Sequence, residues 1–248
     1  MTSNVLAVIL RQEDWRENDV LVTMYTREYG KLEAVAKGLR KIESKLVSHL
    51  EPLTTAEIFI VQGRRWPIVA GSFVENPRFS LRTDLSHLVS AGAIAHLIDL
   101  MTPLENPDER IYGLLEDTLS IVTENFLEPA TGQLLVHLFA WKMLAATGYR
   151  PQLKICLQCH HRIAGEKFFF SPRRGGIIHS RCHSHGQLLH IEIKTAALKG
   201  LTYMLEAPMN MTLRLRGERQ AFIEMTTVIS RTFEERFEIP FPAIASVI

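Results

Sequence analysis

The sequence predicts an α+β protein with an N-terminal OB-fold β-barrel, an α-helical domain after it and an inserted zinc-finger-like module. Short β-branched runs fill about the first eighty positions, and longer segments of helical periodicity follow Pro77. A Cys/His pattern then lies between Cys156 and Cys182. We expect the barrel in residues 1–78, the helical domain in 79–150, the zinc-binding module in 151–190, and C-terminal helices packing on the helical domain in 191–248.

The barrel is predicted from five strand candidates separated by turn residues. They are Val5–Leu10, Val20–Thr26, Gly30–Lys37, Thr54–Gln62 and Ile68–Glu75. A short helical stretch, about Glu43–Leu50, follows the third strand. Five strands with one helix after the third match the OB-fold, a closed barrel that often binds single-stranded nucleic acid or oligosaccharide. Small SH3-like barrels give a similar pattern.

The helical domain is predicted from apolar residues at intervals of three and four. The candidate helices are Leu85–Ile98, Ile111–Phe126, Leu134–Ala146, Thr195–Leu205 and Glu218–Phe237. The third is apolar nearly all round, which indicates a buried helix. We expect the last helices to pack on the earlier ones, because a pair of short helices alone buries little surface.

A metal site is predicted from two close pairs, Cys156-x2-Cys159 and His179-x2-Cys182, separated by nineteen residues. A two-residue gap lets both side chains of a pair reach one ion from a single turn of backbone. The alternative is three free thiols. We favour His179 as fourth ligand because it completes the second pair, and Gly175-Gly176 before it would allow a sharp turn. Neighbouring histidines remain alternatives, namely His160, His161, His183 and His185.

The predicted metal is one structural zinc ion per chain. Four candidate ligands with one local acid, Glu166, differ from a hydrolytic site, which keeps a coordination position open for water. The chain also lacks a phosphate-binding loop, a nucleophile elbow and an H-E-x-x-H helix. We therefore expect no enzymatic activity, and no carboxylate cluster supports a metal-dependent nuclease.

A polyanion partner is predicted from the distribution of charge, because the net charge of +1 hides basic segments. The candidate DNA-binding residues of the barrel are Lys31, Lys37, Arg40, Lys41, Lys45, Arg64 and Arg65. Trp66 stands next to the last two, where an aromatic ring can stack on bases. Arg173 and Arg174 add positive charge to the zinc segment. The alternative is an ordinary solvated surface, but two separate basic clusters favour nucleic acid.

Location and membrane contact are predicted from the apolar runs. Val5–Leu10 is too short for a secretion signal. Leu85–Ile98, the longest charge-free apolar-rich stretch, is shorter than the ~20 residues that span a bilayer. We expect a cytoplasmic, nucleoid-associated protein without membrane contact.

Two groups of motifs resemble the RecO family of bacterial recombination mediators. The first group is Glu17-x-Asp19, Thr26-Arg27-Glu28-x-Gly30-Lys31, Ala36-Lys37-Gly38-x-Arg40-Lys41, Ser44 and Leu50-x-Pro52. The second is Phe170-Ser171-Pro172-x-x-Gly175-Gly176-x-x-His179-x-x-Cys182. The chain departs from the family pattern at His179, where the family usually has Cys. His is a competent zinc ligand.

The resemblance implies a DNA-binding protein of DNA repair and recombination. Members of the family bind single- and double-stranded DNA, anneal complementary strands, and contact the acidic tail of single-stranded DNA-binding protein. With RecR they load RecA at gaps, so RecA is an indirect partner in this RecFOR pathway. A competing interpretation of the barrel and zinc module is an RNA-binding protein of translation or ribosome assembly.

Overall fold

A computed structural model of the chain describes residues 2–125, 128–183, 189–212 and 215–242. The described residues form two units, one ending at Glu128 and the other beginning at Pro129. The first contains a closed sheet with two helices, and the second is mainly helical. The protein is therefore mixed α+β, as predicted. The four domain boundaries drawn from the sequence stay a prediction.

Five strands form the closed sheet of the first unit, in the order β1-β2-β3-β5-β4. They are β1 (Thr2–Asp14), β2 (Val20–Thr26), β3 (Gly30–Ala36), β4 (Thr55–Val61) and β5 (Ile68–Asn76). The sheet closes where β3 and β5 pair in parallel at Val35 and Ile68. A register shift between Ile9 and Arg11 bends β1, whose N-terminal half pairs with β4 and whose C-terminal half pairs with β2.

The interior of this sheet follows from the period-two alternation of β-branched and apolar residues. Val22, Met24, Ala34 and Ile58 are fully buried in one cluster. The five strand predictions are confirmed.

The predicted helix at about Glu43–Leu50 is wrong, because this segment forms hydrogen-bonded turns. The amides of His49 and Leu50 both donate to the carbonyl of Leu46, at 3.1 Å each. Leu50 is the buried side chain of the segment, and most of the others are exposed. Leu46 and Leu50 pack against the core of the sheet, but a helix of eight residues gains little stability from its own hydrogen bonds, and the segment forms turns instead.

Two helices complete the first unit, α1 (Leu85–Met101) and α2 (Glu109–Glu124). Each begins after an aspartate whose carboxylate accepts a backbone hydrogen bond from the first turn, Asp84 for α1 and Asp108 for α2. The helices pack against each other, and α1 also packs against β1.

The second unit is built on α3 (Pro129–Ala146), α4 (Thr195–Glu206) and α6 (Arg219–Phe237), which pack against one another. Trp141 of α3 is fully buried, and its indole donates to the carbonyl of Leu201 in α4 at 3.1 Å. A short helix, α5 (Met209–Thr212), lies between α4 and α6. The predicted helices of both units are confirmed; Phe126, the predicted end of the second, lies outside the described residues.

A three-stranded sheet in the second unit was not predicted from the sequence. It has the order β7-β6-β8, from β6 (Lys167–Ser171), β7 (Gly176–His179) and β8 (Ile191–Lys194). Phe168 and Phe170 of β6 are buried. Within the described ranges, no helix combines the length and apolar character needed to cross a bilayer.

Candidate metal centre and nucleic-acid interface

Three cysteines and one histidine of the second unit meet at a single point. They are Cys156, Cys159, His179 and Cys182, and their ligand atoms all lie within 4.8 Å of one another. Four ligands arranged tetrahedrally at about 2.3 Å from one ion would be separated by roughly 3.8 Å. The group is therefore close enough to hold a single metal ion.

The first pair of ligands lies on a tight turn that wraps the backbone around one sulfur. The amide of Gln158 donates to Cys156 Sγ at 3.4 Å, and the amide of His160 donates to the Cys156 carbonyl at 3.0 Å. His160 has a φ of 58°, a left-handed conformation that reverses the chain after Cys159. The two-residue spacing thus directs both thiols to one side, as the sequence predicted.

His179 ends β7 and is held by hydrogen bonds on both ring nitrogens. Its Nε2 lies 3.1 Å from the carbonyl oxygen of Arg162, and its Nδ1 lies 3.4 Å from Cys159 Sγ. A carbonyl only accepts hydrogen bonds, so Nε2 carries the proton and Nδ1 presents its lone pair to the sulfurs. A histidine that ligates a metal through one nitrogen commonly donates from the other in this way.

The pKa values of two of the cysteines shift in opposite directions. Burial raises the pKa of the Cys156 thiol, but backbone amides, first those of Cys159 and His179, lower it more, to about 6. Burial and the neighbouring Cys159 raise the pKa of Cys182. Thiolates this close repel one another without a cation between them. Three sulfurs and one imidazole are a donor set that binds soft or borderline metals.

Three of the four alternative histidines lie in the described part of the chain, and none of these three joins this group. His160 and His161 are exposed, and His183 stacks on Phe169 with ring centroids 3.7 Å apart. His185 lies outside the described residues. We predicted that Gly175-Gly176 would form the sharp turn needed by the His179-x2-Cys182 pair. A turn does form there, with Gly175 at a φ of 62°, but it joins β6 to β7.

A loop of exposed cations follows β3 in the first unit. Its basic residues, all exposed, are Lys37, Arg40, Lys41 and Lys45. Lys37, Lys41 and Lys45 line one cleft of about 640 Å³. Arg16, which the sequence analysis did not single out, lines the same cleft from the β1–β2 loop. Three acidic residues, Glu17, Asp19 and Glu43, line the cleft as well. None of the three lysines forms an ion pair with a described residue, so their charges are available to a ligand.

This cationic loop is fixed to the β1–β2 loop by an aspartate. The amide of Gly38 donates to Asp19 Oδ1 at 2.8 Å, and Gly38 adopts a φ of 63° that glycine tolerates without strain. The amide of Arg40 donates to the carbonyl of Asn18 at 3.1 Å, and its guanidinium pairs with Asp14. Asp19 and Gly38 thus connect the Glu17-x-Asp19 motif to the Ala36-Lys37-Gly38 motif.

The β4–β5 hairpin adds two cations and an aromatic ring. Arg64 and Arg65 are exposed. Trp66 contacts Trp15 of the β1–β2 loop edge to face, with ring centroids 5.3 Å apart. The loops at this end of the sheet therefore carry positive charge and a partly exposed aromatic pair.

Lys31 differs from the other candidate DNA-binding residues, because its side chain is only 13% exposed and pairs with Asp99. In the second unit, Arg173 and Arg174 are exposed on the β6–β7 turn. Arg174 donates to the carbonyl of Leu157, within the first ligand turn, at 2.9 Å.

Comparisons with known proteins establish the family. Residues 1–69 match the family described as "Recombination protein O N terminal", and residues 82–243 match "Recombination protein O C terminal". The chain belongs to the RecO family. This confirms the resemblance seen in the two motif groups.

Relatives in the family carry the name "DNA repair protein RecO". The chain is 34% identical over 180 residues to the protein of Desulfitobacterium hafniense, covering 73% of this chain and 64% of that relative. It is 29% identical to the protein of Dehalococcoides mccartyi, covering 90% of this chain and 86% of the relative. It is 30% identical to the protein of Pelotomaculum thermopropionicum, covering 86% of this chain and 81% of the relative. The family is one of DNA repair proteins and not of enzymes, as the sequence analysis expected.

Proposed function

We propose that the chain is a DNA-binding recombination mediator that anneals complementary single strands. With RecR, it helps to load RecA onto DNA coated by single-stranded DNA-binding protein. Its partners are single- and double-stranded DNA, RecR and single-stranded DNA-binding protein, with RecA reached indirectly on the nucleoid. The observation that carries this proposal is the loop of exposed cations after β3 in a member of the RecO family.

The closed sheet is an OB-fold in this proposal. Five strands in the order β1-β2-β3-β5-β4, with a loop between β3 and β4, support that assignment. In such barrels the loops frame a groove for single strands. Here the framing loops are the ones that carry Lys37, Lys41 and Arg65.

Annealing follows from electrostatics without covalent chemistry. Two phosphate backbones repel each other, and lysines without a carboxylate partner lower that repulsion when they lie between them. Lys37, Lys41 and Lys45 have this character. Arg16 extends the cationic surface onto the neighbouring loop.

The Trp15–Trp66 pair supplies the contact with bases. Aromatic faces stack on any base, which gives binding with little sequence preference. Arg64 and Arg65 precede Trp66 directly, so phosphate and base contacts come from one hairpin. This suits a protein that must act on any sequence.

The ion held by Cys156, Cys159, His179 and Cys182 is a structural zinc ion, one per chain, in this proposal. A Cys3His donor set is typical of closed zinc sites. The ion would join turns that lie far apart in the sequence and so stabilise the module. Arg173 and Arg174 on this module form a second contact with DNA.

The acidic tail of single-stranded DNA-binding protein docks, in this proposal, in a groove of about 650 Å³ beside α3 and α6. Its apolar wall includes Leu134, Phe222 and Ile223. Arg216 and Arg219 line it and are exposed. A groove with a basic edge fits an acidic peptide, and its apolar floor can accept an apolar side chain of that peptide.

The deciding experiment is an annealing assay with complementary strands precoated by single-stranded DNA-binding protein, with and without RecR. The expected result is faster annealing with the chain, and RecA filament formation that requires RecR as well. Competition between DNA and RNA of the same sequence tests the RNA-binding alternative. Failure to bind or anneal DNA at low salt would refute the proposal.

A further inference from the structure

The first unit contains a second cleft whose charge is opposite to that of the cationic loop. It has a volume of about 520 Å³ and lies beside the N-terminal half of β1, the start of β4 and the end of β5. Four glutamates line it, namely Glu28, Glu57, Glu75 and Glu116. No lysine or arginine is among its lining residues.

Three of these carboxylates lack a counter-charge. Glu116 accepts hydrogen bonds from Arg78 and Thr55, at 2.6 Å each, so its charge is compensated. In the described part of the chain, Glu28, Glu57 and Glu75 form no ion pair. Arg27, the nearest exposed cation along the sequence, pairs with Glu109 at 2.6 Å and interacts only more weakly with Glu28. Glu28 accepts a hydrogen bond from the amide of Leu6 at 3.1 Å, and Glu57 accepts one from the side chain of Asn4, but both donors are uncharged. The cleft therefore concentrates negative charge without a cation among its lining residues.

A buried hydroxyl at this cleft also lacks a partner. Tyr112 lines the cleft and is 7% exposed, and its Oη has no hydrogen bond to any described residue. Burial, and then the charge of Glu116, raise the pKa of Tyr112, so its phenol stays protonated. Buried polar atoms are nearly always hydrogen-bonded, and an orphan beside a cleft is an available position for a ligand.

An exposed aromatic ring lies next to the same carboxylates. Phe73 of β5 is 62% exposed and pairs across the strands with Glu57. Phe59 supports it edge to face, with ring centroids 6.1 Å apart. Cross-strand partners on one face have Cβ atoms about 5 Å apart, so Phe73 and Glu57 present a joint apolar and acidic surface.

The chemistry of this surface selects its ligand. Phosphate is repelled by three carboxylates that form no ion pair with a described residue, which excludes a nucleic-acid backbone. A single metal ion fits poorly, because among the described residues only the Cys3His group brings three or more ligand atoms together. A guanidinium is planar, carries five donors and stacks on aromatic rings, so it can bridge separated carboxylates and a phenol.

We propose that this acidic cleft binds an arginine-bearing segment of a protein partner, with a guanidinium among Glu28, Glu57 and Glu75 and an apolar residue against Phe73. The site lies apart from the cationic loop. Glu28 is in the β2–β3 turn, and Lys37 is beyond the far end of β3, seven residues long. At about 3.3 Å per residue, the two are roughly 20 Å apart, so DNA and partner can bind together.

The test uses the full chain and a fluorescein-labelled peptide, Gly-Arg-Phe-Arg-Gly, titrated by fluorescence anisotropy. A matched peptide has glutamine in place of arginine. The wild-type chain should bind only the arginine peptide. Glu57→Gln with Glu75→Gln should weaken binding about two- to thirty-fold, as expected for two partly exposed charge contacts. Glu28→Gln should weaken it separately, and the exposed Glu43→Gln serves as matched control.

Several outcomes would overturn the proposal. These are no binding at about 1 mM peptide, equal binding of the glutamine peptide, or an unchanged affinity in the folded glutamate variants. Displacement of the peptide by millimolar Mg²⁺ or Ca²⁺ would make the cleft a cation site instead. Self-association of the wild type that the glutamate variants abolish would make the occupant a second copy of the chain. Circular dichroism checks the folding of each variant, and a DNA titration should give wild-type affinity for Glu57→Gln with Glu75→Gln.

Discussion

Lys31 and Asp99 join the sheet of the first unit to α1. Nζ of Lys31 lies 3.2 Å from Oδ1 of Asp99 and donates to the main-chain carbonyl of the same residue at 2.5 Å. Arg11 Nε contacts the other carboxylate oxygen at 2.7 Å. A cation near the end of a helix also interacts favourably with its dipole. Lys31 therefore has a structural role that the exposed lysines of the loop do not share.

Lys31→Met should destabilise the chain by about 1–3 kcal/mol, because hydrogen bonds to a charged group are removed while the apolar stem remains. Lys45→Met should change stability by less than about 0.5 kcal/mol, since that side chain is exposed. Urea unfolding followed by circular dichroism measures both. Equal stability of the two variants would contradict the structural role of Lys31.

Asp99 should make stability depend on acid pH. Burial raises the pKa of Asp99, but hydrogen bonds from Arg11 and Lys31 lower it more, so its net pKa is below the ordinary value. The folded state then binds fewer protons than the unfolded state. The stability that Asp99 contributes is complete above about pH 3.9, which is the pKa of an aspartate in the unfolded state. It is lost as the pH falls through the lower pKa that Asp99 has in the folded state.

Asp99→Asn should therefore reduce the slope of the unfolding free energy against pH below about pH 5, although it lowers stability at neutral pH. Urea titrations from acid to neutral pH measure this, and Asp117→Asn, at an exposed position of α2, is the control. If the unfolding free energy of Asp99→Asn still falls as steeply with acid pH as that of the wild type, other carboxylates cause the acid dependence.

Lys37→Ala with Arg40→Ala should weaken DNA binding and reduce the slope of log affinity against log salt by about one to two units. The physical reason is that a variant that neutralises fewer phosphates also releases fewer counterions on binding. Fluorescence titrations of a labelled oligonucleotide at several salt concentrations measure the slope. An unchanged slope would remove these residues from the interface.

Trp66→Ala should weaken binding of single strands by about 1–3 kcal/mol and leave the salt slope unchanged, because stacking involves no counterion. Double-stranded DNA, whose bases are already stacked, should lose less affinity. If both rings contact bases, single strands should still quench Trp15 in this variant, whereas the fully buried Trp141 contributes a constant signal. A parallel loss for both kinds of DNA would point to a folding defect.

Cys156→Ser with Cys159→Ser should abolish metal binding and lower the thermal midpoint of the chain. Elemental analysis should give about one zinc per chain for the wild type, purified without chelator, and none for the variant. His161→Ala should keep the metal, since His161 is exposed and lies outside the ligand group. A metal-free wild type would refute the zinc assignment.

The sequence predicted those features that depend on local spacing. The strands of the sheet followed from period-two alternation, and the ligand group followed from two x2 pairs, because one turn of backbone fixes the direction of both side chains. The short sheet β7-β6-β8 was missed, since its strands are four or five residues long and lie among candidate ligands.

Features that depend on distant contacts could not be predicted. Lys31 and Asp99 are 68 residues apart in sequence, so the sequence did not distinguish Lys31 from the other basic residues of the barrel. Trp15 met Trp66 only through closure of the sheet. The acidic cleft draws its glutamates from the β2–β3 turn, β4, β5 and α2, and no segment of the chain holds more than one of them.

The hydrogen bond between the Gly38 amide and Asp19 has an electrostatically unexpected consequence. Deleting this carboxylate subtracts negative charge beside the lysines, and simple Coulomb attraction would then favour a polyanion. The freed backbone would instead sample many shapes, and fixing it again on a strand costs conformational entropy. The Asp19→Ala variant should thus bind oligonucleotides more weakly than the wild type, despite its more positive surface.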